Sequence, residues 1–324
     1  MRRKNRFAWL LALAFAAHGA AALAQNYPAR PVRMLVGFTP GGGVDINARL
    51  LASRLTEYLG QQFIVENRPG AGTNIANEYV AKSAPDGYTL LFNSPAVAIN
   101  MALYRNPPYD ALRDFAGVSV FSESTNILVV PASLPAKSLH ELVALARAKP
   151  GELTFASASI IGGQRLAGEL FFREVAKADI INVPYNGGAP AATAVIGGHT
   201  MILVSNVPEV VRQLDAGRLR GIAVMSLARA DQLPTVPTLA ESGYPGFEAA
   251  NWYGVVMRSA TPRNVIERLS AEIGNALNLP DVKEGMHKFG LVPAYLNAGE
   301  FDALIQSELQ RYARIVNTLK LRMD

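Results

Sequence analysis

The sequence predicts an α/β protein in which two similar lobes enclose a cleft. Three observations support this fold class. Apolar runs of strand length alternate with helical patterns along the 324-residue chain. The loop after most of these runs is rich in glycine, serine and asparagine. The same succession of strand, loop and helix occurs in both halves, and such alternation with short connections is typical of mainly parallel sheets flanked by helices.

The first half contains a β-α-β-α-β succession. Its first apolar run begins at Val32 and meets Pro40 and three glycines before a helical pattern that Gly60 is placed to end. A polar break at 122–126 separates two later strands and marks where the chain is expected to cross between the lobes. The further predicted strands are 63–65, 88–92, 117–121 and 127–130, and the predicted helices are 46–59 and 74–83.

The second half repeats this succession, and the last segment is expected to return to the first lobe. Ser138 and Glu141 have the spacing of a capping box at the start of its first helix. The predicted strands are 153–156, 180–183, 201–204, 219–225 and 252–257, and the predicted helices are 138–149, 164–176, 209–216, 262–277, 281–289 and 300–318. The first lobe is therefore assigned to residues 25–122 and 227–324, and the second lobe to residues 123–226.

The composition is that of a folded, exported protein. Half of the residues are hydrophobic and 18% are charged, which is typical of globular domains. Residues 1–24 resemble a secretory signal peptide, with four basic residues in the first six, an apolar core over 7–15 and a small-x-small cleavage site at 22–24. Without those four cations the formal net charge falls from +5 to +1, which argues against a nucleic-acid partner. The absence of cysteine removes disulfides and thiolate sites, and a bacterial periplasm is the expected compartment.

The glycine-rich turn after the first strand has two interpretations. The glycines at 41–43 allow the backbone to take φ > 0 and bring N–H groups close to a guest. The first turn of the following helix leaves further N–H donors unpaired beside the positive end of the helix dipole. This arrangement suits a carboxylate. A tight strand-to-helix turn without a ligand explains the same residues, and the turn by itself does not decide between the two.

A second loop is expected beside this turn. The segment Asn93-Ser94-Pro95-Ala96 follows the third strand. The C-terminal ends of neighbouring parallel strands meet at one sheet edge, where ligands bind in open α/β folds. Ser94 is therefore expected near Gly41, with a plain polar loop as the alternative.

The sequence offers little for catalysis. His140, His199 and His287 share no metal-ligand spacing. There is no Gly-x-Ser-x-Gly nucleophile motif, and the glycine turn lacks the spacing of dinucleotide and phosphate loops. Asp45 is interpreted as a cap or a brace of the turn. An exported enzyme acting on an acidic substrate is the alternative, with Asp45 and Arg165 as its one candidate pair, and no metal or cofactor is expected.

Several segments match one protein family, in order, over nearly the whole chain after residue 25. They are Tyr27-Pro28-x-Arg30-Pro31, Phe38-x-Pro40-Gly41-Gly42-x-x-Asp45, Val65-Glu66-Asn67-Arg68-Pro69-Gly70-Ala71-Gly72, Ala84-Pro85-Asp86-Gly87-Tyr88-Thr89-Leu90, Leu166-Ala167-Gly168-Glu169-Leu170-Phe171, Val183-Pro184-Tyr185, Gly187-x-Ala189-Pro190-Ala191, Val236-Pro237-Thr238-Leu239-x-Glu241-x-Gly243, Trp252-x-Gly254 and Thr261-Pro262. With these motifs the chain resembles the periplasmic receptors of tripartite tricarboxylate transporters, also called the Bug family of solute-binding proteins.

The resemblance implies a two-lobed periplasmic-binding-protein fold of the Venus-flytrap, type II class. Such a receptor captures a small carboxylated solute and presents it to the membrane permease subunits of the transporter, and a monomer is expected. A ligand-sensing role for a membrane sensor is an alternative. The resemblance also implies that backbone groups of the first lobe hold the carboxylate. The matching positions are Phe38, Pro40, Gly41, Gly42 and Asp45 in the first loop, and Ser94, Pro95 and Ala96 in the second.

The second lobe is expected to select the acid, and here the chain departs from the family. A Gly-Asn-Gly-Thr-Ser-like run is common where this chain has Ser159-Ile160-Ile161-Gly162-Gly163, and Asp-Asn is common where it has Ser205-Asn206. The isoleucines disfavour a tricarboxylate unless they turn into the core, and the missing acid disfavours amino acids. The predicted ligand is a monocarboxylate or dicarboxylate with an apolar or aromatic body. The expected contacts in this lobe are Ser157, Ser159, Gly162, Gln164, Tyr185, Gly187, Ser205 and Asn206.

Overall fold

The computed structural model describes residues 27–159 and 162–323. The predicted signal peptide and the pair Ile160 and Ile161 lie outside the described residues. The strands are β1 (Val32–Val36), β2 (Phe63–Asn67), β3 (Thr89–Asn93), β4 (Phe115–Pro131), β5 (Thr154–Ser157), β6 (Ile181–Pro184), β7 (Ile202–Asn206), β8 (Leu219–Val224), β9 (Ala250–Arg258) and β10 (Val292–Leu296).

Helices follow most of these strands, as the alternating pattern predicts. They are α1 (Gly43–Leu59), α2 (Asn74–Ala81), α3 (Ala96–Leu103), α4 (Ala111–Asp114), α5 (Leu139–Ala148), α6 (Gly163–Glu169), α7 (Gly188–Ile196), α8 (Val207–Asp215), α9 (Arg263–Leu277), α10 (Pro280–Lys288) and α11 (Ala298–Leu319). A short 3₁₀ turn at Ala71–Thr73 precedes α2, and a π-helical turn at Leu170–Val175 continues α6. Among the described residues, no helix has both the length and the apolar character needed to cross a bilayer.

The strands form one curled, mixed sheet in the order β2-β1-β3-β9-β4-β7-β5-β6, and β8 and β10 each pair with β4. A parallel group lies towards each end, with β1 between β2 and β3 and with β5 between β6 and β7. Between these groups β4 and β9 run antiparallel to their neighbours. Each parallel group has its own hydrophobic core. The fold is therefore α/β with two lobes, and its parallel pairing is confined to the outer strands.

The predicted polar break at 122–126 is wrong, because a single 17-residue strand, β4, runs through it. Three of the five residues there, Ser122, Ser124 and Asn126, are buried, and two of these have partners on distant parts of the chain. Ser122 Oγ donates to Asn47 Oδ1 of α1 at 2.5 Å, and Asn126 Nδ2 donates to the carbonyl of Ala249 at 2.9 Å. The polar run thus reflects buried hydrogen bonds within an extended strand, which are common where polar groups leave water.

Strand β4 changes partner within one residue step. It pairs with β9 as far as Thr125 and with β7 from Asn126 onwards. The chain meets the same point again near Met225, whose N–H donates to the carbonyl of Asn126 at 2.8 Å. The two lobes are therefore joined at a compact crossing rather than by a flexible loop.

The sequence pattern does not predict three of these elements, α3, the short helix α4 and β10. Helix α3 is built from AVAINMAL, and six of its eight residues are buried. A helix that is apolar nearly all round has no amphipathic period to detect. It begins directly after Pro95, so the predicted Ser94 loop is the entry to a helix.

Candidate functional site

A cavity of about 520 Å³ opens between the two lobes, within the range of small-molecule sites. Loops that follow β1, β2 and β3 form one side, and loops that follow β5, β6 and β7 form the other. The described wall residues are Gly37, Phe38, Thr39, Gly42, Gly43, Val44, Pro69, Gly70, Ala71, Gly72, Thr73, Ser94, Tyr104, Ala158, Ser159, Gly162, Gly163, Gln164, Tyr185, Asn186, Gly187, Gly188, Asn206, Glu209, Asn251, Tyr253 and Met323. The wall is thus assembled mainly from strand ends, as ligand sites of open α/β sheets are.

Several helices begin at this cavity. Helix α1 follows Gly42, α7 follows Gly187 and α8 follows Asn206, and none of these three residues caps its helix with a side-chain hydrogen bond. The positive ends of the helix dipoles and their first N–H groups therefore face the same space. No lysine, arginine or histidine occurs among the wall residues that the structure describes. An anion would be held here by neutral donors.

The loop between β2 and α2 lines the cavity in an uncommon backbone conformation. Ala71, Gly72 and Thr73 have φ values of +45°, +59° and +80° in succession, and non-glycine residues rarely adopt this region. Helix α3 supports the loop, because Asn100 Nδ2 donates to the carbonyl of Gly72 at 2.7 Å. Tyr104 Oη donates to the carbonyl of Ala71 at 3.1 Å. Strained loops that are held in this way are typical of binding sites.

Gly37 at the end of β1 makes room for this loop. A Cβ added at Gly37 would lie 2.7 Å from the Cβ of Thr73, which is closer than two such atoms approach. The glycine therefore lets the first two loops of the cavity pack directly on each other. Its role is the close approach of backbones and needs no special φ value.

Asp45 supports the first loop from behind the cavity wall. Its side chain is buried, at 3% exposed. Its Oδ2 accepts from the N–H of Gly41 at 2.9 Å and from Arg49 Nε at 3.0 Å, and its Oδ1 accepts from Asn67 Nδ2 at 2.8 Å. Burial alone would raise the pKa of Asp45, but the hydrogen bonds from Arg49, Gly41 and Asn67 outweigh it and lower that pKa. The carboxylate is thus an ionised brace for the glycine turn.

Glu209 places a second carboxylate on the wall itself. Its Oε1 accepts from the N–H of Gly43, the first residue of α1, at 3.2 Å. Its Oε2 accepts from Ser205 Oγ at 2.6 Å. A Cβ added at Gly188 would lie 2.4 Å from its carboxyl carbon, so the start of α7 also packs on it. The N–H of Gly43, which the glycine turn offers to an anion, is therefore used by the protein's own side chain.

Polar groups from β9 complete the wall. Asn251 Nδ2 donates to Asn206 Oδ1 at 2.5 Å and to Asn126 Oδ1 at 2.8 Å. It thereby joins β9, β7 and β4 where the two lobes meet. Tyr253 is 1% exposed. The Ser124 side chain lies beside its hydroxyl, and that hydroxyl donates to no acceptor among the described residues. This hydroxyl is a buried polar group that a ligand can satisfy.

Of the sixteen predicted site residues, nine lie on the cavity wall and seven are not part of it. Those on the wall are Phe38, Gly42, Ser94, Ser159, Gly162, Gln164, Tyr185, Gly187 and Asn206. Those that do not line the cavity are Pro40, Gly41, Asp45, Pro95, Ala96, Ser157 and Ser205. Ser157 Oγ donates to the carbonyl of Ser159 at 3.1 Å. Ser205 Oγ donates to the carboxylate of Glu209, which does line the cavity. The contacts of these residues with a ligand stay a prediction.

Some wall residues are not among the predicted site residues, although the sequence contains a signal for part of them. The Gly70–Thr73 loop follows β2, which is parallel to β1, so the rule that selected Ser94 selects this loop as well. Glu209 lies one helical turn after Ser205, a spacing at which side chains meet. Asn251 and Tyr253 lie on β9, which is antiparallel to its neighbours. The rule that ligands bind at the C-terminal ends of parallel strands therefore does not predict them as site residues.

The pair considered for catalysis does not lie on the cavity wall. All hydrogen-bond and ionic partners of the Asp45 side chain belong to the first lobe. Arg165 Nε lies 3.9 Å from Glu169 Oε1, and burial lowers the pKa of Arg165. Within residues 27–159 and 162–323, no group of three or more histidine and acidic side chains has an arrangement suited to a metal ion.

Known proteins resemble this chain over most of its length. Residues 47–321 match the family model of the tripartite tricarboxylate transporter family receptor, TctC. Protein BugT of Bordetella pertussis is 38% identical over 295 residues, which are 90% of each chain.

Two solved structures with a similar fold each contain a bound carboxylate of their own. The structure of R. palustris Rpa4515 with adipate has a TM-score of 0.88 and 33% identity, and covers 91% of this chain and 99% of its own. MatC from Rhodopseudomonas palustris with bound malate has a TM-score of 0.82 and 28% identity. The match covers 90% of this chain and 100% of the MatC chain. This chain belongs to the tripartite tricarboxylate transporter receptor family of periplasmic binding proteins.

Proposed function

We propose that this chain binds a small organic acid in the cavity between its lobes and delivers it to the permease of a tripartite tricarboxylate-type transporter. The observation that carries the proposal is a cavity at which α1, α7 and α8 begin and whose described wall residues include no basic side chain. Neutral donors at helix N-termini bind carboxylates well. Related structures hold adipate and malate, which supports a carboxylate as the ligand.

The acid enters with its carboxylate towards the loops of the first lobe. Because Glu209 already uses the N–H of Gly43, the Gly70–Thr73 loop and Ser94 are the better candidates for this contact. The aromatic wall residues Phe38, Tyr104 and Tyr185 suit an apolar or aromatic body. The ligand is therefore a monocarboxylate or dicarboxylate with such a body.

Ligand capture closes the two lobes about the crossing at Thr125 and Asn126, where β4 changes partner. The lobes comprise residues 25–122 with 227–324, and residues 123–226. Thr39 Oγ1 donates to the carbonyl of Asn186 across the cleft at 3.4 Å, and such weak contacts suit lobes that part and close. Closure around a ligand is the ordinary motion of two-lobed binding proteins.

The mature chain acts in the periplasm as a monomer, after cleavage near Ala24, and has no catalytic role. Recovery of the bound acid unchanged after incubation supports a receptor, whereas turnover of the acid supports an enzyme. Uptake of the acid by cells, lost when the chain is deleted, tests the partnership with a permease.

Isothermal calorimetry against a panel of organic acids tests the ligand class. We expect aromatic or apolar carboxylates to bind at a 1:1 ratio. Much tighter binding of citrate would contradict the proposed class, and the absence of binding by every acid would contradict the proposed function itself.

A further inference from the structure

The charge of Glu209 bears on which acids the cavity accepts. Its two carboxylate oxygens accept from Gly43 N–H at 3.2 Å and from Ser205 Oγ at 2.6 Å, and the N–H of Asn206 is a further donor. Burial raises the pKa of Glu209 above its ordinary value, and these three donors limit that rise because they favour the ionised form. It is the only charged side chain among the wall residues that the structure describes.

Tyr253 supplies a hydroxyl beside this carboxylate, and although the Ser124 side chain contacts its oxygen, its O–H has no acceptor among the described residues. A Cβ added at Gly43 would lie 3.0 Å from Tyr253 Oη and 3.6 Å from Glu209 Oε1, so both groups lie around the same residue. Burial, and then the negative charge of Glu209, raise the pKa of Tyr253 well above its usual range. The hydroxyl is therefore protonated at every physiological pH and can donate.

We propose that Glu209 and Tyr253 form the end of the cavity that recognises a neutral hydroxyl or carboxamide on the ligand and rejects a second carboxylate. This inference rests on the proposed function, since it concerns the group that the acid carries besides its carboxylate. A hydroxyl can donate to Glu209 and accept from Tyr253 at the same time. A second carboxylate has no proton to donate and meets a like charge in a largely dehydrated site. The structure therefore narrows the ligand class to hydroxy acids and acid amides.

Matched acid pairs test this inference. The pairs are para-hydroxybenzoate with terephthalate, and omega-hydroxyhexanoate with adipate, whose members differ only in the second group. Calorimetry is run at about pH 8, well above the ordinary carboxyl range, because burial raises the pKa of Glu209. For the unchanged protein we expect the hydroxy acid of the better-fitting pair to bind about tenfold or more tightly than the dicarboxylate.

Two variants separate the roles of the two residues. Glu209→Gln removes the charge but keeps the shape, so the preference for the hydroxy acid should fall about tenfold. Tyr253→Phe keeps the ring and removes the donor, so hydroxy-acid affinity should fall about fivefold. Glu284→Gln, on α10 away from the cavity, should leave both affinities unchanged.

The outcomes distinguish this inference from the proposed function. A preference that Glu209→Gln leaves unchanged, or tighter binding of the dicarboxylates by the unchanged protein, overturns the inference alone. If Glu209→Gln does not fold, unchanged hydroxy-acid affinity in Tyr253→Phe overturns it. If none of the four acids binds to any variant, the inference fails and the result counts against the proposed function as well.

Discussion

The backbone N–H of Gly43 donates a hydrogen bond of 3.2 Å to the carboxylate of Glu209. The two residues are 166 positions apart and belong to different lobes. The start of α1, which has the chemistry of an anion site, is therefore paired with a carboxyl group of the protein itself. A ligand carboxylate is accordingly expected at the remaining donors of the cavity, towards the Gly70–Thr73 loop.

Replacing Gly37 by alanine should disturb that loop. The new Cβ would lie 2.7 Å from the Cβ of Thr73, so one of the two loops must move. We expect a loss of about 1–3 kcal/mol in the free energy of unfolding. We also expect at least tenfold weaker binding of the acid, because the loops of the cavity shift. Urea unfolding and calorimetry measure the two effects.

Gly285→Ala is the matched control for this substitution. Gly285 lies in α10, where an added Cβ meets only Leu50 Cδ1 at 3.6 Å. Alanine should stabilise the helix by about 0.5–1 kcal/mol and leave the affinity unchanged. Equal affinity losses in both variants would contradict the role assigned to Gly37.

Replacing Asp45 by asparagine should destabilise the protein in a pH-dependent way. The pKa of Asp45 is lowered in the folded state from its ordinary value of 3.8. Its ionised form therefore contributes stability that is complete above 3.8 and is lost as the pH falls below it towards the folded value. We expect a loss of about 1–3 kcal/mol at neutral pH, and a smaller difference between the two proteins in acid.

Chemical unfolding at neutral and acidic pH checks this expectation, with Asp231→Asn as a control because Asp231 is exposed. A difference between Asp45→Asn and the unchanged protein that stays constant down to acidic pH would show that the charge of Asp45 is not what holds the turn.

Replacing Gly187 by alanine should weaken closure of the lobes. Gly187 has a φ of +123°, and an added Cβ would lie 2.8 Å from Thr39 Oγ1 across the cleft. Gly198→Ala shares the positive φ, at +77°, but meets nothing within 4 Å. Both variants should lose about 1–2 kcal/mol of stability through backbone strain. Only Gly187→Ala should also lose affinity, and calorimetry that finds equal affinities would argue against closure at this contact.

Replacing Asn251 by leucine should loosen the crossing between the lobes. The change leaves Asn206 Oδ1 and Asn126 Oδ1 without the donor that each now uses. A buried acceptor without a partner costs about 1–3 kcal/mol, so urea unfolding should show a loss of about 2–6 kcal/mol for the two together. A loss below about 0.5 kcal/mol would mean that water replaces the amide at no cost.

Local pattern predicted the outer parts of the fold well. The parallel strands β1, β3 and β5 and the amphipathic helix α1 each have a period or a turn that marks them. Strand β4 was divided in the prediction because its centre is polar, and the partners of those polar groups lie far away in sequence. Burial of this kind is decided by tertiary contacts, which a local pattern does not contain.

The same limit applies to the site. Ser94 and Gly187 follow parallel strands or begin helices, so a sheet-edge argument finds them. Tyr253 and Asn251 lie on β9, and Met323 lies near the end of the chain. The residues next to them in the sequence form no pattern that predicts a cavity, although all three line it. Glu209 has the features of an ordinary first-turn acid of α8, and only the approach of Gly43 makes it part of the wall.

Native mass spectrometry of protein purified without refolding asks directly whether the cavity holds an organic acid. We expect one small organic acid per chain, recovered chemically unchanged after its release. Returning this acid to the stripped protein should stabilise it by an amount that grows with concentration, about 2.7 kcal/mol at one hundred times the dissociation constant. A bound molecule without a carboxyl group, or an acid that the protein converts, would rule out the proposed receptor role.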